Sequence, residues 1–125
     1  MIKKVDLTKY DLTKPQDLSE AIAQILSLHK GKDVTVIEVG EKTIIADYFV
    51  ITSAFSSTAV KALADNVEDE LAKAGLEPLH RDADGKWVAL DYGSVIVHVF
   101  YKELREFYDI ERLWADGNNL RKIED

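Results

Sequence analysis

The 125-residue chain has no cysteine, two prolines and six glycines. Without cysteine there is no disulfide framework, thiol catalysis or cysteine-based zinc site, which suits a reducing compartment. The glycines form neither Gly-x-Gly-x-x-Gly nor a Walker A loop. No apolar run approaches the roughly 20 residues that span a bilayer, and the first residues lack a signal-peptide core. We therefore expect a soluble cytoplasmic protein without membrane association.

Basic residues are the scarcer charge, since 16 Lys and Arg against 23 Asp and Glu give a net charge of −7. Because binding to a phosphate backbone depends on basic groups, autonomous nucleic-acid binding is not expected. An acidic surface favours encounter with a basic partner, and ribosomal proteins are abundant examples. Ordinary solubility explains the same charge equally well.

The apolar pattern predicts one domain, and 46% hydrophobic residues can supply its core. Spacing at three and four residues predicts helices over 15–29, from Ser56 to Gly75, and over 102–115. β-branched stretches predict strands over 34–39 and 48–52, an edge strand or extended segment over 76–81, and a hairpin of 87–91 with 95–101. This order predicts an α+β fold, a mixed sheet of about five strands with packed helices.

The two ends of the chain are more polar than its middle. Residues 1–13 are predicted to be a flexible N-terminal arm, 14–116 the folded domain, and 117–125 a charged tail that frays. No repeat or linker indicates a second domain.

Aromatic residues around the hairpin suggest an interaction surface. Trp87 lies on one alternate face with Ala89 and Asp91, and Tyr92 lies in a turn, where a large ring is difficult to bury. Tryptophan and tyrosine are enriched at interaction hot spots. We interpret Trp87 as an interface residue and Trp114 as a core residue, with the core open as the alternative for Trp87 and the interface as the alternative for Trp114.

Catalytic arrangements are incomplete in this sequence. The serines near position 56 lack a nucleophile-elbow pattern, and three histidines on different elements provide no metal-ligand spacing. A nucleotidyltransferase site needs a Gly-Ser turn followed by two acids on a strand, but Gly93-Ser94 precedes an apolar strand with His98. Asp82 and Asp84 lie before that turn. A metal-dependent transferase using them is the enzyme alternative; otherwise no cofactor or metal is expected.

The ordered pattern Trp-x-x-x-Asp-x-Gly-x-Val-Ile-Val-His-Val-Phe, followed by Arg-x-x-Tyr-x-x-Glu-x-Leu-Trp, resembles the Iojap-like family of ribosomal silencing factors. The resemblance covers about residues 15–115. It implies a fold similar to nucleotidyltransferases without their catalytic acids, and no enzymatic activity. It also implies binding to ribosomal protein L-fourteen of the large subunit, which would block joining of the small subunit and reduce translation when nutrients are scarce. Family members form homodimers in isolation, so a homodimeric assembly factor is a further alternative.

Residues that match the family pattern are the expected docking surface and its support. Docking is expected at Trp87, Leu90, Asp91, Tyr92, His98 and Phe100. Support is expected from Arg105, Tyr108 and Glu111, which could hold the last helix or extend the interface, while Asp47 matches without an assigned role. The chain departs from the pattern at Ser94, where an acid is usual, and at Ile110, where leucine is usual.

Overall fold

The computed structural model describes residues 4–123. Over that range the chain forms one six-stranded mixed sheet between two long helices on one face and two short helices on the other. The elements are a short 3-10 helix (Leu7–Lys9), α1 (Pro15–Leu28), β1 (Lys32–Glu38), β2 (Tyr48–Ala54), α2 (Ser57–Lys73), β3 (His80–Ala83), β4 (Trp87–Asp91), β5 (Val95–Tyr101), α3 (Lys102–Tyr108), α4 (Ile110–Trp114) and β6 (Leu120–Lys122). The predicted α+β fold is confirmed.

The strand order is β3-β4-β5-β2-β1-β6. β5 and β2 are parallel at the centre, and every other neighbouring pair is antiparallel. β4 and β5 form the predicted hairpin, whose turn includes Gly93 at φ +88°. That φ lies in the left-handed region, which glycine adopts without a Cβ clash. No helix of the described part is long and apolar enough to cross a membrane.

Local signals explain why the two long helices begin and end where they do. Pro15 occupies the first turn of α1, where its missing N–H is not needed. The Ser56 hydroxyl accepts a hydrogen bond from the Ala59 backbone N–H at 3.0 Å and so caps α2. Gly75, at φ +87°, follows the end of α2. Both predicted helices are confirmed.

Alternation along the strands gives the sheet two different faces. The first face carries Val50, Val88, Leu90 and Val97, which are buried under α1 and α2. The second face carries Phe49, Ile51 and Phe100, which form a smaller cluster with residues of α3 and α4. Because α3 and α4 together contain 12 residues, 7 and 5, against 14 in α1 and 17 in α2, the second face is covered less completely.

The predicted single helix over 102–115 is wrong, because the structure has two helices separated at Asp109. Asp109 is left-handed, at φ +46° and ψ +51°, and its N–H donates to the Arg105 carbonyl at 2.8 Å. On a continuous helix, residues six apart would point in different directions. The break instead brings the Glu111 carboxylate onto the Arg105 guanidinium, with Nε–Oε1 at 2.8 Å and Nη2–Oε2 at 3.1 Å.

Arg105 is buried at 8% exposure and joins four elements. Beyond Glu111 on α4, its guanidinium donates to the Ser53 hydroxyl on β2 at 3.3 Å and to the Thr35 hydroxyl on β1 at 3.2 Å. A further bond reaches the Lys32 carbonyl at 3.2 Å, beside a β-bulge in β1. These bonds fix α3 and α4 against the second face.

Two other segments differ from the sequence prediction. Residues 120–122, expected to fray, form edge strand β6 against β1, and the sheet therefore has six strands over residues 4–123 rather than about five. The predicted edge strand near 76–81 lies further along the chain, at His80–Ala83.

In the predicted N-terminal arm, Val5, Leu7 and Leu12 pack on the core. The Val5 N–H donates to the Glu70 carboxylate of α2 at 2.9 Å. The mobility of this arm stays a prediction. Residues 1–3 of the arm and 124–125 of the tail lie outside the described residues.

Replacing Glu111 with glutamine is expected to lower the free energy of unfolding by about 2 kcal/mol, because the buried guanidinium loses its charged partner. Glu106→Gln makes the same chemical change on an exposed ion pair with Lys102 and should cost less than about 0.5 kcal/mol. Urea denaturation of both variants measures the difference. Equal losses would contradict a structural role for the Arg105–Glu111 pair.

Candidate partner-docking surface

The alternation predicted for β4 is confirmed. Trp87, Ala89 and Asp91 are half-buried on the second face, while Val88 and Leu90 are buried beneath the helices of the first face. Opposite them on β5, the backbone pairs are Trp87 with Phe100 and Ala89 with His98. The uncovered part of the second face therefore starts at Trp87 and follows the hairpin towards its turn.

Trp87 is fixed by contacts on three sides. Its ring centroid lies 4.8 Å from that of Phe100 and 5.1 Å from that of Tyr108. Its indole N–H donates to Nδ1 of His98 at 3.2 Å. A large ring held in one orientation loses little entropy when a partner covers it, which suits an interaction hot spot.

His98 is held in its neutral form by the surrounding apolar groups. Burial lowers the pKa of His98 from its ordinary 6.5 to about 4, because desolvation disfavours the imidazolium. Neutral imidazole has one acceptor nitrogen, which matches Nδ1 accepting from the Trp87 indole. His98 therefore helps to orient Trp87, and no acid–base role is needed to explain it.

We define the aromatic surface as the half-exposed second-face residues Trp87, Ala89, Ile96 and His98 together with Tyr108 of α3. Tyr108 is 46% exposed, so its ring both packs on Trp87 and faces solvent. On α3, Phe107 is 79% exposed and its ring centroid lies 5.3 Å from that of Tyr108, and Leu113 of α4 is 74% exposed. Exposed apolar residues of this size grouped on one face mark an interaction site.

Three of the six expected docking residues are buried. Leu90 and Phe100 are fully buried on opposite faces of the sheet, and Tyr92 is 7% exposed. Their side chains can support a partner-binding surface but cannot contact a partner directly in this conformation. Trp87, Asp91 and His98 retain partly exposed surface, and their contact with a partner stays a prediction.

The exposed ring expected at Tyr92 is the clearest error. The turn is closed by the Gly93 N–H donating to the Asp91 carboxylate at 2.7 Å and the Tyr92 N–H to the Val95 carbonyl at 2.9 Å. This geometry directs the Tyr92 ring to the first face, where it joins the large core cluster. Burial, followed by the charges of Glu68 and Glu77, raises its pKa well above the ordinary value.

The supporting residues have separate structural roles. Arg105 and Glu111 hold α3 and α4 on the sheet, which is one of the two roles considered for them. The exposed Asp47 acts through its backbone: its N–H donates to the Ser94 carbonyl at 2.8 Å, joining the β1–β2 connection to the hairpin turn. Trp114 is half-buried, with its ring 5.5 Å from that of Phe49, as expected for a residue packed on the second-face cluster.

The two carboxylates considered for a metal-dependent transferase, Asp82 and Asp84, occupy different structural settings. Asp84 accepts hydrogen bonds from the backbone N–H groups of Lys86, at 3.0 Å, and Trp87, at 2.9 Å, and so stabilises the β3–β4 turn. Asp82 lies on β3 opposite Ala89. Within residues 4–123, no group of three or more histidine, aspartate or glutamate side chains is arranged to hold a metal ion.

Sequence reasoning missed the exposure of Phe107 and Leu113, and that of Ile44 and Ile45 on the β1–β2 connection. Leu113 has the spacing of a buried residue if 102–115 is one helix, and the break at Asp109 changes its direction. Ile44 and Ile45 lie between the predicted strands 34–39 and 48–52. Two large apolar residues in a segment between strands were the available signal.

The fold defines a small single-domain α+β protein with a partly uncovered aromatic face on its sheet. Comparisons agree. The family profile described as "Ribosomal silencing factor during starvation" matches residues 12–125. "Ribosomal silencing factor RsfS" of Haemophilus influenzae is 36% identical over 100 residues, covering 78% of this chain and 98% of the relative. A crystal structure of a protein from Chromobacterium violaceum matches with a TM-score of 0.78 and 31% identity, covering 85% of this chain and 92% of that one.

A mouse relative, "Mitochondrial assembly of ribosomal large subunit protein 1", is 30% identical over 112 residues, covering 85% of this chain and 47% of the relative. The chain belongs to the ribosomal silencing factor family. The resemblance drawn from the sequence is confirmed. The family's members are named as silencing factors and not as enzymes.

A pH dependence of stability follows from His98. Above pH 6.5 neither state of the protein binds a proton at this position, so the contribution of neutral His98 is fully present. As the pH falls from 6.5 to about 4, the unfolded chain takes up a proton that the folded state does not, and about 3 kcal/mol of stability is lost.

His98→Asn is the matched variant, because its amide oxygen can replace Nδ1 as acceptor for the Trp87 indole but does not titrate. We expect the unfolding free energy of the wild type, minus that of the variant, to fall by about 3 kcal/mol between pH 7 and pH 4. Urea denaturation across this range measures it. A difference that does not change with pH would exclude a neutral, desolvated His98.

Tyr92→Phe is expected to leave stability unchanged or to raise it by up to about 1 kcal/mol. Among the described residues, the Tyr92 hydroxyl is a buried polar atom without a hydrogen-bond partner. Tyr48→Phe is the control: its hydroxyl donates to Glu38 at 3.0 Å, so its loss should cost about 0.5–1 kcal/mol. Thermal denaturation compares the two. A larger loss at Tyr92 would indicate that a buried water or another group satisfies its hydroxyl.

Proposed function

We propose that the protein represses translation by binding the large ribosomal subunit and sterically blocking its joining with the small subunit. The proposed contact is ribosomal protein L-fourteen, and the proposed site of action is the cytoplasm. Membership of the ribosomal silencing factor family supports the general function. The single observation that carries the binding mode is the aromatic surface, where Trp87 is fixed on a face that α3 and α4 leave partly uncovered.

Charge supports a basic protein as the partner. On the second face, Asp82 is exposed beside Ala89, and the partly exposed Asp91 lies at the end of the same hairpin. With a net charge of −7, the chain repels nucleic-acid phosphates and attracts a basic ribosomal protein. Apolar contact at the aromatic surface would supply affinity, and the surrounding acids would increase the association rate.

Size supports the steric part of the proposal. A compact domain of 125 residues has a radius of gyration of about 14 Å, so it occupies a layer about 30 Å or more thick. Docked on the joining face of the large subunit, such a layer is too thick for the small subunit to approach. Blocking of this kind needs no catalysis and no conformational change.

Self-association through the same surface is a second candidate, consistent with the homodimer that the family resemblance implied. Phe107 adds exposed apolar area beside Tyr108 of the aromatic surface. A dimer using this area would cover Trp87 and compete with the ribosome. Mass measurement of the protein with and without the large-subunit protein separates free dimer from partner complex.

Trp87→Ala is expected to raise the dissociation constant for the large subunit at least tenfold, as for a central hot-spot residue. Co-sedimentation with separated ribosomal subunits measures binding, and circular dichroism checks that the variant is folded. The wild type should sediment with the large subunit alone and inhibit subunit joining. Joining that continues unchanged at saturating protein would refute the proposal.

A charge reversal tests the same surface without removing a packed ring. Asp82→Lys should weaken binding several-fold, more at low salt than at high salt, because its partner is basic. Asp69→Lys, an identical charge change on an exposed position of α2, is the control and should have a smaller effect. Equal effects of the two substitutions would locate the partner away from the second face.

A further inference from the structure

Two adjacent isoleucines on the β1–β2 connection face solvent. Ile44 is 104% exposed and Ile45 is 59% exposed. A single exposed apolar residue is ordinary, but two neighbouring ones form a small apolar patch that folding does not explain. Their exposure contrasts with Ala46, the next residue, which is buried at 6% in the cluster of the second face.

Hydrogen bonds fix the backbone that presents this patch. The N–H of Thr43 donates to the Val39 carbonyl at 3.1 Å, and the N–H of Ile45 donates to the Thr43 hydroxyl at 3.2 Å. The Val39 N–H in turn donates to the Asp47 carbonyl at 2.8 Å, closing the base of the connection. Side chains presented by an ordered backbone bind a partner at a lower entropic cost than those of a free loop.

The connection lies at the turn end of the β4–β5 hairpin. The bond from the Asp47 N–H to the Ser94 carbonyl joins it to the turn, and burial of Ala46 places it on the side of the second face. Ser94 precedes Phe100, the neighbour of Trp87, by six residues, or about 20 Å of strand. An interface of standard size covers about 800 Å² per partner, roughly 30 Å across. One partner can therefore contact both Trp87 and the isoleucines.

We propose that Ile44 and Ile45 are a second anchor for the same large-subunit protein that binds the aromatic surface, and that they insert into an apolar depression with a basic rim. This inference rests on the proposed function and adds to it a contact at the opposite end of the hairpin. Continuity with the aromatic surface identifies the occupant as the same partner.

Charge around the patch excludes ribosomal RNA as the occupant. Glu41 and Asp47 are exposed on either side of the isoleucines. Lys42, the neighbouring cation, is engaged by Asp116 with Nζ–Oδ2 at 3.2 Å. The local field is therefore negative, which repels phosphates and favours basic groups of a protein.

The test uses the full chain carrying Ile44→Ser and Ile45→Ser together, with purified large subunits in a co-sedimentation titration. Ala62→Ser is the control, because Ala62 is exposed on α2, which covers the first face of the sheet. We expect the isoleucine variant to bind at least tenfold more weakly, with an unchanged melting temperature, and the Ala62 variant to bind like the wild type.

Trp87→Ala in the same titration separates the two proposals. If Trp87→Ala weakens binding and the isoleucine variant binds like the wild type, the second anchor is refuted while the proposed function stands. If Trp87→Ala has no effect, the proposed docking surface fails, and the anchor fails with it. If the isoleucine variant binds normally but no longer self-associates, the patch contacts a second copy of this chain and the inference is overturned.

Discussion

The buried guanidinium of Arg105 determines how the second face of the sheet is covered. It is bound to two strands and to the Glu111 carboxylate, so α3 cannot continue straight and the chain turns at Asp109 into α4. A buried charge is tolerated when its hydrogen-bonding groups are satisfied, as they are here by five bonds. The uncovered area beside Trp87 thus lies on the same face of the sheet as the ion pair that holds α3 and α4 in place.

The two faces of the sheet therefore have different structural roles. The first face is sealed by α1 and α2 and supplies the large continuous core. The second face has a small core around Phe49 and Phe100, and its remaining rings support one another at the surface. Burial by the sheet also keeps His98 neutral, so that its nitrogen can accept from the Trp87 indole. A rigid aromatic surface therefore results from incomplete coverage combined with local packing.

The elements predicted correctly from the sequence are those whose structure depends on residues close to one another in the chain. α1, α2 and the hairpin follow from apolar spacing, from Ser56 as a cap and from Gly93 at the turn. Prediction failed where partners are distant in the chain: the break at Asp109 depends on contacts of Arg105 with β1 and β2, and β6 depends on the free edge of β1. Alternation along β4 predicts the correct face for Trp87. The same alternation, continued one residue into the turn, also predicts a buried Tyr92, whereas the turn position alone predicted an exposed ring.

The contacts within the aromatic surface also argue against a catalytic role for the hairpin. Its polar groups are engaged with one another: Asp91 closes the turn, Asp84 stabilises the preceding turn, and His98 accepts from Trp87. A catalytic group needs a free proton-transfer atom aimed at a substrate, whereas a docking surface needs its side chains immobilised before the partner arrives. Each of these three residues immobilises its neighbours, which is the order that the proposed docking surface requires.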